Sequence, residues 1–162
     1  NDAGSMDRRR KGGAADIIAQ TPGVSIEFQM YYAWPDYYPD VKTKMEALIL
    51  SDGDNIDGIF GTFDGVSLAA LQAVREAGLE YRMPIVGVDG DPEALNEIAN
   101  PESAFVATVI QSWVDVSVIT VNEIFNKLNG AQLSTNQIHV PGILVTKDNV
   151  QQIKQDYPDL FQ

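Results

Sequence analysis

A chain of 162 residues, 44% hydrophobic and 21% charged, is long enough for one ordinary globular core. Its 23 acidic side chains against 11 Lys and Arg give a formal net charge of −12, which argues against nucleic acid and against a polybasic membrane contact. With no Cys there is no disulfide framework, thiolate metal site or Cys nucleophile.

In chain order, the polar opening Asn1-Asp2-Ala3-Gly4-Ser5 runs directly into a helix, as the middle of a domain would, so a fragment of a longer protein is expected. Ser5 or Asp7 caps a helix over about 8–20 that begins with the cluster Arg8-Arg9-Arg10-Lys11 and buries Ala14, Ile17 and Ile18. Thr21-Pro22-Gly23 ends it, and the strict alternation of 24–30 predicts a strand with one wetter face. Residues 31–40 form a loop with one Trp and four Tyr. Aromatic faces stack on the C–H faces of sugars, so at least one ring is expected in a pocket and the others under the loop. A helix over about 39–50 turns Val41, Met45, Leu48 and Ile49 inward, and a strand follows over 56–62. Asp64 caps a helix over about 65–77, which Gly78 stops.

The next stretch organises the rest. Ile85 to Val88 read as a strand buried on both faces, Gly90 permits a tight turn, Asp91 suits an N-cap and Pro92 suits the first helical position. Asp89 therefore stands at the carboxyl end of a parallel strand, the edge where open α/β sheets hold ligands. Its carboxylate either accepts from two hydroxyls of a polyol or simply caps the turn. Beyond it come a helix over 92–99, a strand over 104–110 and a long helix over 114–128. Two short β segments, 137–140 and 143–145, and a helix near 149–155 complete the chain. Strands and helices alternating through short connections predict an open, Rossmann-like parallel α/β sheet with helices on both faces. Right-handed crossovers then bring Thr62, Phe63, Asp89 and Gln111 to one edge.

Other chemistries find little support. Residues 52–58 resemble a calcium loop, but Ile56 occupies a ligand position. Gly87-Val88-Asp89-Gly90 lacks dinucleotide-binding spacing, and no phosphate-binding Gly-x-x-x-x-Gly-Lys motif occurs, so no cofactor is expected. His139, the single histidine, lies in an apolar segment as a structural residue would, and no Gly-x-Ser-x-Gly is present. Nothing poises Asp89 and Asp91 as an acid–base pair. No enzyme is expected.

A set of segments in one order carries a resemblance: Arg10-x-x-Gly13, residues 55–60 (Asn-Ile-Asp-Gly-Ile-Phe), residues 64–73 beginning Asp-Gly-Val-Ser, Ala77-Gly78, residues 84–90 (Pro-Ile-Val-Gly-Val-Asp-Gly), residues 107–111 (Ala-Thr-Val-Ile-Gln) and residues 144–149 (Leu-Val-Thr-Lys-Asp-Asn). Together they resemble the C-terminal half of the type I periplasmic sugar-binding proteins, the ribose-binding-protein-like family. The resemblance implies two Rossmann-like lobes joined by hinge strands, closing on a sugar and presenting it to an ABC transporter permease or a chemoreceptor, in the periplasm or outside the cell. It assigns 1–111 to the second lobe without its usual first strand, 112–136 to a helix of the first lobe, and 137–162 to returning strands and the C-terminal helix. The missing N-terminal lobe, or a second chain, would then cover Val116, Ile119 and Phe125.

By the same resemblance Arg10 donates to sugar hydroxyls (with Ala14 replacing the usual Phe of that motif), Asp89 accepts from them, and Gln111 is the polar hinge residue. Trp34 or Tyr37 stacks on the ring. Phe63 stands where ribose binders have Asn, which disfavours ribose and points to a deoxy sugar, a less polar ligand or another orientation. The expected function is the solute-binding component of a sugar ABC transporter. Its alternatives are the effector-binding domain of a sugar-responsive transcription regulator, and an α/β enzyme using Asp89.

Overall fold

The computed structural model describes residues 4–132 and 138–162. Six α-helices are assigned among them: α1 (Ser5–Ala19), α2 (Tyr37–Asp52), α3 (Asp64–Glu76), α4 (Pro92–Ala99), α5 (Trp113–Leu128) and α6 (Val150–Asp156). Four strands, β1 (Ile59–Phe60), β2 (Ile85–Val86), β3 (Phe105–Ile110) and β4 (Ile143–Thr146), form one open sheet in the order β1-β2-β3-β4.

The first three strands are parallel because a helix crossover separates each from the next. The last differs from the expected all-parallel sheet. β4 runs antiparallel to β3, with Ala107 opposite Thr146 and Ile110 opposite Ile143, because the chain leaves β3 through α5 and returns beside it in reverse. The strands themselves are short, but their ladder continues past their ends. Gly87 donates to the Ala107 carbonyl and Asp89 to the Val109 carbonyl, both at 3.0 Å, and Asp89 bridges Ile110.

The core forms where α3 and α4 cover β2 and β3. Leu71, Val74, Met83, Ile85, Leu95, Ile98, Phe105 and Val145 are fully or nearly fully buried. Apolar side chains at three- and four-residue spacing on α3 and β-branched residues on the strands supply this layer. α2 adds Val41 and Met45 against it, as expected, while Leu48 and Ile49 are half-buried. Arg75 ties α3 to α4 through Glu97 at 2.8 Å and to the intervening loop through Glu80 at 3.2 Å.

Three expectations fail here. The alternating segment 24–30 joins no sheet, and Val24, Ile26 and Phe28 are exposed. Alternation makes a strand only where a neighbour completes its ladder, and none of the described strands lies beside it. Ile17 of α1 is exposed and Ala14 and Ile18 are only half-buried, so the residue α1 buries is Asp7. Of the expected strand at 137–140, Gln137 lies outside the described residues, and 138–140 join no ladder. α5 stands apart from the core with none of its residues buried. Val114, Val118, Val121, Phe125 and Leu128, spaced 4-3-4-3, form an apolar stripe along its exposed side, beside half-buried Val116 and Ile119.

Phe105 of β3 is the largest fully buried side chain among the described residues. Phe105→Ala should lower the unfolding free energy by about 3–5 kcal/mol. Urea denaturation followed by circular dichroism measures this; a loss near zero would mean that the layer between sheet and helices is not the core.

Candidate functional site

The polar centre is built where the first three strands end. β1 delivers Thr62 and Phe63, β2 delivers Asp89, and β3 delivers Gln111; Arg10 reaches them from α1, 79 residues from Asp89 in sequence. One Arg10 nitrogen lies 2.6 Å from Asp89 Oδ1 and the other donates to the Thr62 carbonyl at 2.7 Å. Gln111 Nε2 donates to the same Asp89 Oδ1. Asp89 Oδ2 accepts from none of the described residues, and the carboxylate remains partly open to solvent. An ion pair in such a half-buried setting holds geometry more than it adds stability.

The backbone at this point is strained. Asp89 has φ of 139°, a region that side-chain-bearing residues rarely adopt. Gly90 follows at φ 83°, where a Cβ would lie 2.6 Å from Ile110 Cγ1. The Asp89 backbone is nonetheless anchored on both sides, its N–H to Val109 and its carbonyl accepting from Gln111 N at 3.1 Å.

Beside the polar centre stands an aromatic wall. Trp34 stacks on Tyr37 with centroids 5.7 Å apart and planes at 14°, while its other face looks outward, the residue being 67% exposed. Tyr37 meets Phe63 edge-on at 4.9 Å, and Tyr32 meets Phe63 edge-on at 5.8 Å. Thr62 and Phe63 connect wall and polar centre, since Arg10 binds the carbonyl directly before the Phe63 ring. The loop carrying Trp34 is pinned to α2: Asp40 accepts from Ala33 N at 2.8 Å and Lys44 Nζ at 2.7 Å, and Lys44 also reaches the Tyr31 carbonyl. Those two donors, Lys44 first, hold the Asp40 carboxyl below its ordinary range. The Tyr32 hydroxyl donates to buried Asp7 of α1 at 3.2 Å, and burial pushes the Tyr32 phenol upward.

All six residues singled out from sequence thus fall in two adjoining groups, Arg10, Asp89 and Gln111 in one and Trp34, Tyr37 and Phe63 in the other. Sequence reasoning missed the layer beneath them. Asp64 is not the N-cap of α3 but its first residue, and its carboxylate makes no cap bond. Instead Oδ1 accepts from Thr108 Oγ1 at 2.7 Å, and Oδ2 accepts from the N–H groups of Gly90 at 2.8 Å and Asp91 at 2.9 Å. The available signal was a Thr inside the apolar run Phe105-Val106-Ala107-Thr108-Val109-Ile110, a polar group that needs a buried partner. Asp91 does occupy the N-cap position of α4, with Pro92 next, yet its side chain makes no cap bond either. Burial, then the charges of Asp64, Asp89 and Glu93, push its carboxyl up to about 6.

The geometry defines a class of protein, an open α/β lobe whose strand ends hold a carboxylate, a guanidinium and an amide beside aromatic faces. Residues 3–132 match the periplasmic binding protein domain, and the chain belongs to that family. A xylitol-binding protein of Mycolicibacterium smegmatis is 33% identical over 150 residues, covering 91% of this chain and 40% of that protein. A ribose operon repressor of Halalkalibacterium halodurans is 26% identical over 115 residues, covering 70% of this chain and 33% of that protein. Among solved structures, an ABC transporter solute-binding protein from Agrobacterium vitis with bound allitol superposes with a TM-score of 0.84 at 25% identity, over 93% of this chain and 52% of that one. The chain therefore spans about a third to a half of the proteins it resembles.

The raised Asp91 carboxyl gives a pH test. Between the ordinary value of 3.8 and about 6, the native state keeps a proton the unfolded state has released, so this group's contribution to stability falls as pH rises through that window. Asp91→Asn removes the crowded charge. Its melting temperature should exceed that of the unsubstituted protein at pH 7, with the gain vanishing below about pH 4. An equal gain at both pH values would contradict the crowding.

Proposed function

We propose that this chain is one lobe of the solute-binding component of a sugar ABC transporter, exported from the cytoplasm, and that it binds a polyol or monosaccharide without turning it over. The supporting observation is the shared use of Asp89 Oδ1. Arg10 and Gln111 both donate to that oxygen, which orients the carboxylate and leaves Oδ2 to accept from a ligand hydroxyl. The outward face of Trp34 suits the C–H face of the same ligand. The xylitol-binding relative and the allitol-bound structure support a ligand with a chain of adjacent hydroxyls.

Phe63 refines that class. Its ring lies edge-on to Tyr32 and Tyr37, so this side of the site offers carbon where an amide would offer paired hydrogen bonds. A ligand with one hydroxylated edge and one less polar edge fits better than ribose. The other half of the complete protein would close over the ligand, and binding would shift an open–closed equilibrium toward the closed form that a permease reads. The α5 stripe from Val114 to Leu128 would lie against that half. Regulator function draws less support, since the repressor relative is the more distant match and the net charge of −12 opposes DNA.

In the complete protein, Asp89→Ala should weaken xylitol or allitol binding by more than about tenfold in isothermal titration, as expected for losing a charge-assisted hydrogen bond of ~1.5–3 kcal/mol. The variant should remain folded by circular dichroism. Unchanged affinity would remove Asp89 from the site, and chemical conversion of either polyol would mean an enzyme.

A further inference from the structure

The residue that decides where Asp89 points lies beneath the site rather than in it. Asp64 is fully buried and grips the chain on both sides of Asp89. Its backbone N–H donates to the carbonyl of Val88 at 2.8 Å, directly before Asp89. Its side-chain Oδ2 accepts from Gly90 N and Asp91 N, directly after it. The remaining oxygen, Oδ1, accepts from Thr108 Oγ1 on β3 at 2.7 Å, so three segments of the fold meet on one carboxylate.

We propose that Asp64 is a positioning residue for ligand binding, its buried carboxylate fixing the turn that holds Asp89 in its strained conformation and aims it at the ligand. The proposal rests on Asp89 being a ligand contact.

Three observations favour a positioning role over plain packing. Burying a carboxylate costs several kcal/mol unless its oxygens are bonded, and this one makes three bonds. Its surroundings are shaped to admit it: a Cβ on Gly87 would lie 2.2 Å from Asp64 Oδ1, so the residue that follows β2 is glycine. It also sits where its own charge is unwelcome. Burial first, and the Asp89 charge after the compensating hydrogen bonds, act to raise the Asp64 carboxyl. An apolar side chain would fill this space without that penalty, but it could not hold the Gly90 and Asp91 amides. Without those two bonds the turn after Asp89, whose φ is 139°, keeps only the Gln111 N–H bond to the Asp89 carbonyl, and the side chain can relax away from Arg10 and Gln111.

A double-mutant cycle in the complete protein tests this, with xylitol and allitol as probes. Asp64→Ala alone should weaken binding by about tenfold or more, yet in an Asp89→Ala background it should cost no further affinity, because it acts through Asp89. The same loss in both backgrounds would mean general destabilisation and would overturn the proposal. Affinity sensitive to Asp89→Ala but not to Asp64→Ala would overturn it while sparing the function proposed above; insensitivity to Asp89→Ala would sink both. If Asp64→Ala does not fold, Thr108→Val carries the test by freeing one carboxylate oxygen. Binding should then weaken by about threefold or more, and amide hydrogen exchange should quicken at Gly90 and Asp91 but not at Phe105. Unchanged exchange at those two amides would overturn the proposal.

Discussion

The arrangement at the strand ends depends on one carboxylate receiving two donors. Asp89 accepts from Arg10 of α1 and from Gln111 beyond β3 on a single oxygen, and that convergence ties the first helix of the chain to the middle of the sheet. α1 has little else to hold it, for it buries only Asp7 and its apolar residues face solvent or are half-covered. Packing alone would not place Arg10 over the strand ends. The ion pair and the bond to the Thr62 carbonyl do, and the Tyr32–Asp7 bond joins the aromatic loop to the same helix. Fold and site are thus linked in both directions, since the sheet supplies the edge and the polar contacts at that edge secure α1.

The stability gradient follows the same logic. Around β2, β3, α3 and α4, Leu71, Val74, Ile85, Leu95, Ile98, Phe105 and Ile110 are buried in one cluster. α5 and the segment 24–30 carry apolar side chains with little covering them. The chain spans 52% of the allitol-bound structure it superposes on, and the proposed function sets the α5 stripe against the remaining half of such a protein. The stripe on α5 is spaced for a partner surface, and the alternation of 24–30 is spaced for a neighbouring strand.

Much of this was legible in the sequence, for identifiable reasons. Helices such as α3 announce themselves by periodicity and by Gly78 at the stop, and β2 by a short β-branched run before Gly-Val-Asp-Gly. Asp89, Gln111 and Thr62 were placed together because crossovers of fixed hand put strand ends on one edge. Arg10 and Trp34 came from resemblance, since no local rule brings a helix or loop residue to that edge. What escaped was long-range. The alternation of 24–30 says nothing about whether a partner strand lies beside it. The antiparallel return of β4 depends on where α5 leads the chain. Asp64 reads as a helix cap from its neighbours, whereas its partners Gly90, Asp91 and Thr108 lie 26 to 44 residues away. Side chains that bond locally and side chains that bond across the fold look alike in sequence.

In the proposed site the oxygen of Asp89 left open by Arg10 and Gln111 holds the ligand. The most direct measurement is a crystal structure of the complete protein grown with xylitol or allitol. A ligand hydroxyl should lie about 2.5–3.0 Å from Asp89 Oδ2, with the outward face of Trp34 against ligand carbon. A polyol bound elsewhere, with Asp89 still paired only to Arg10 and Gln111, would contradict the account.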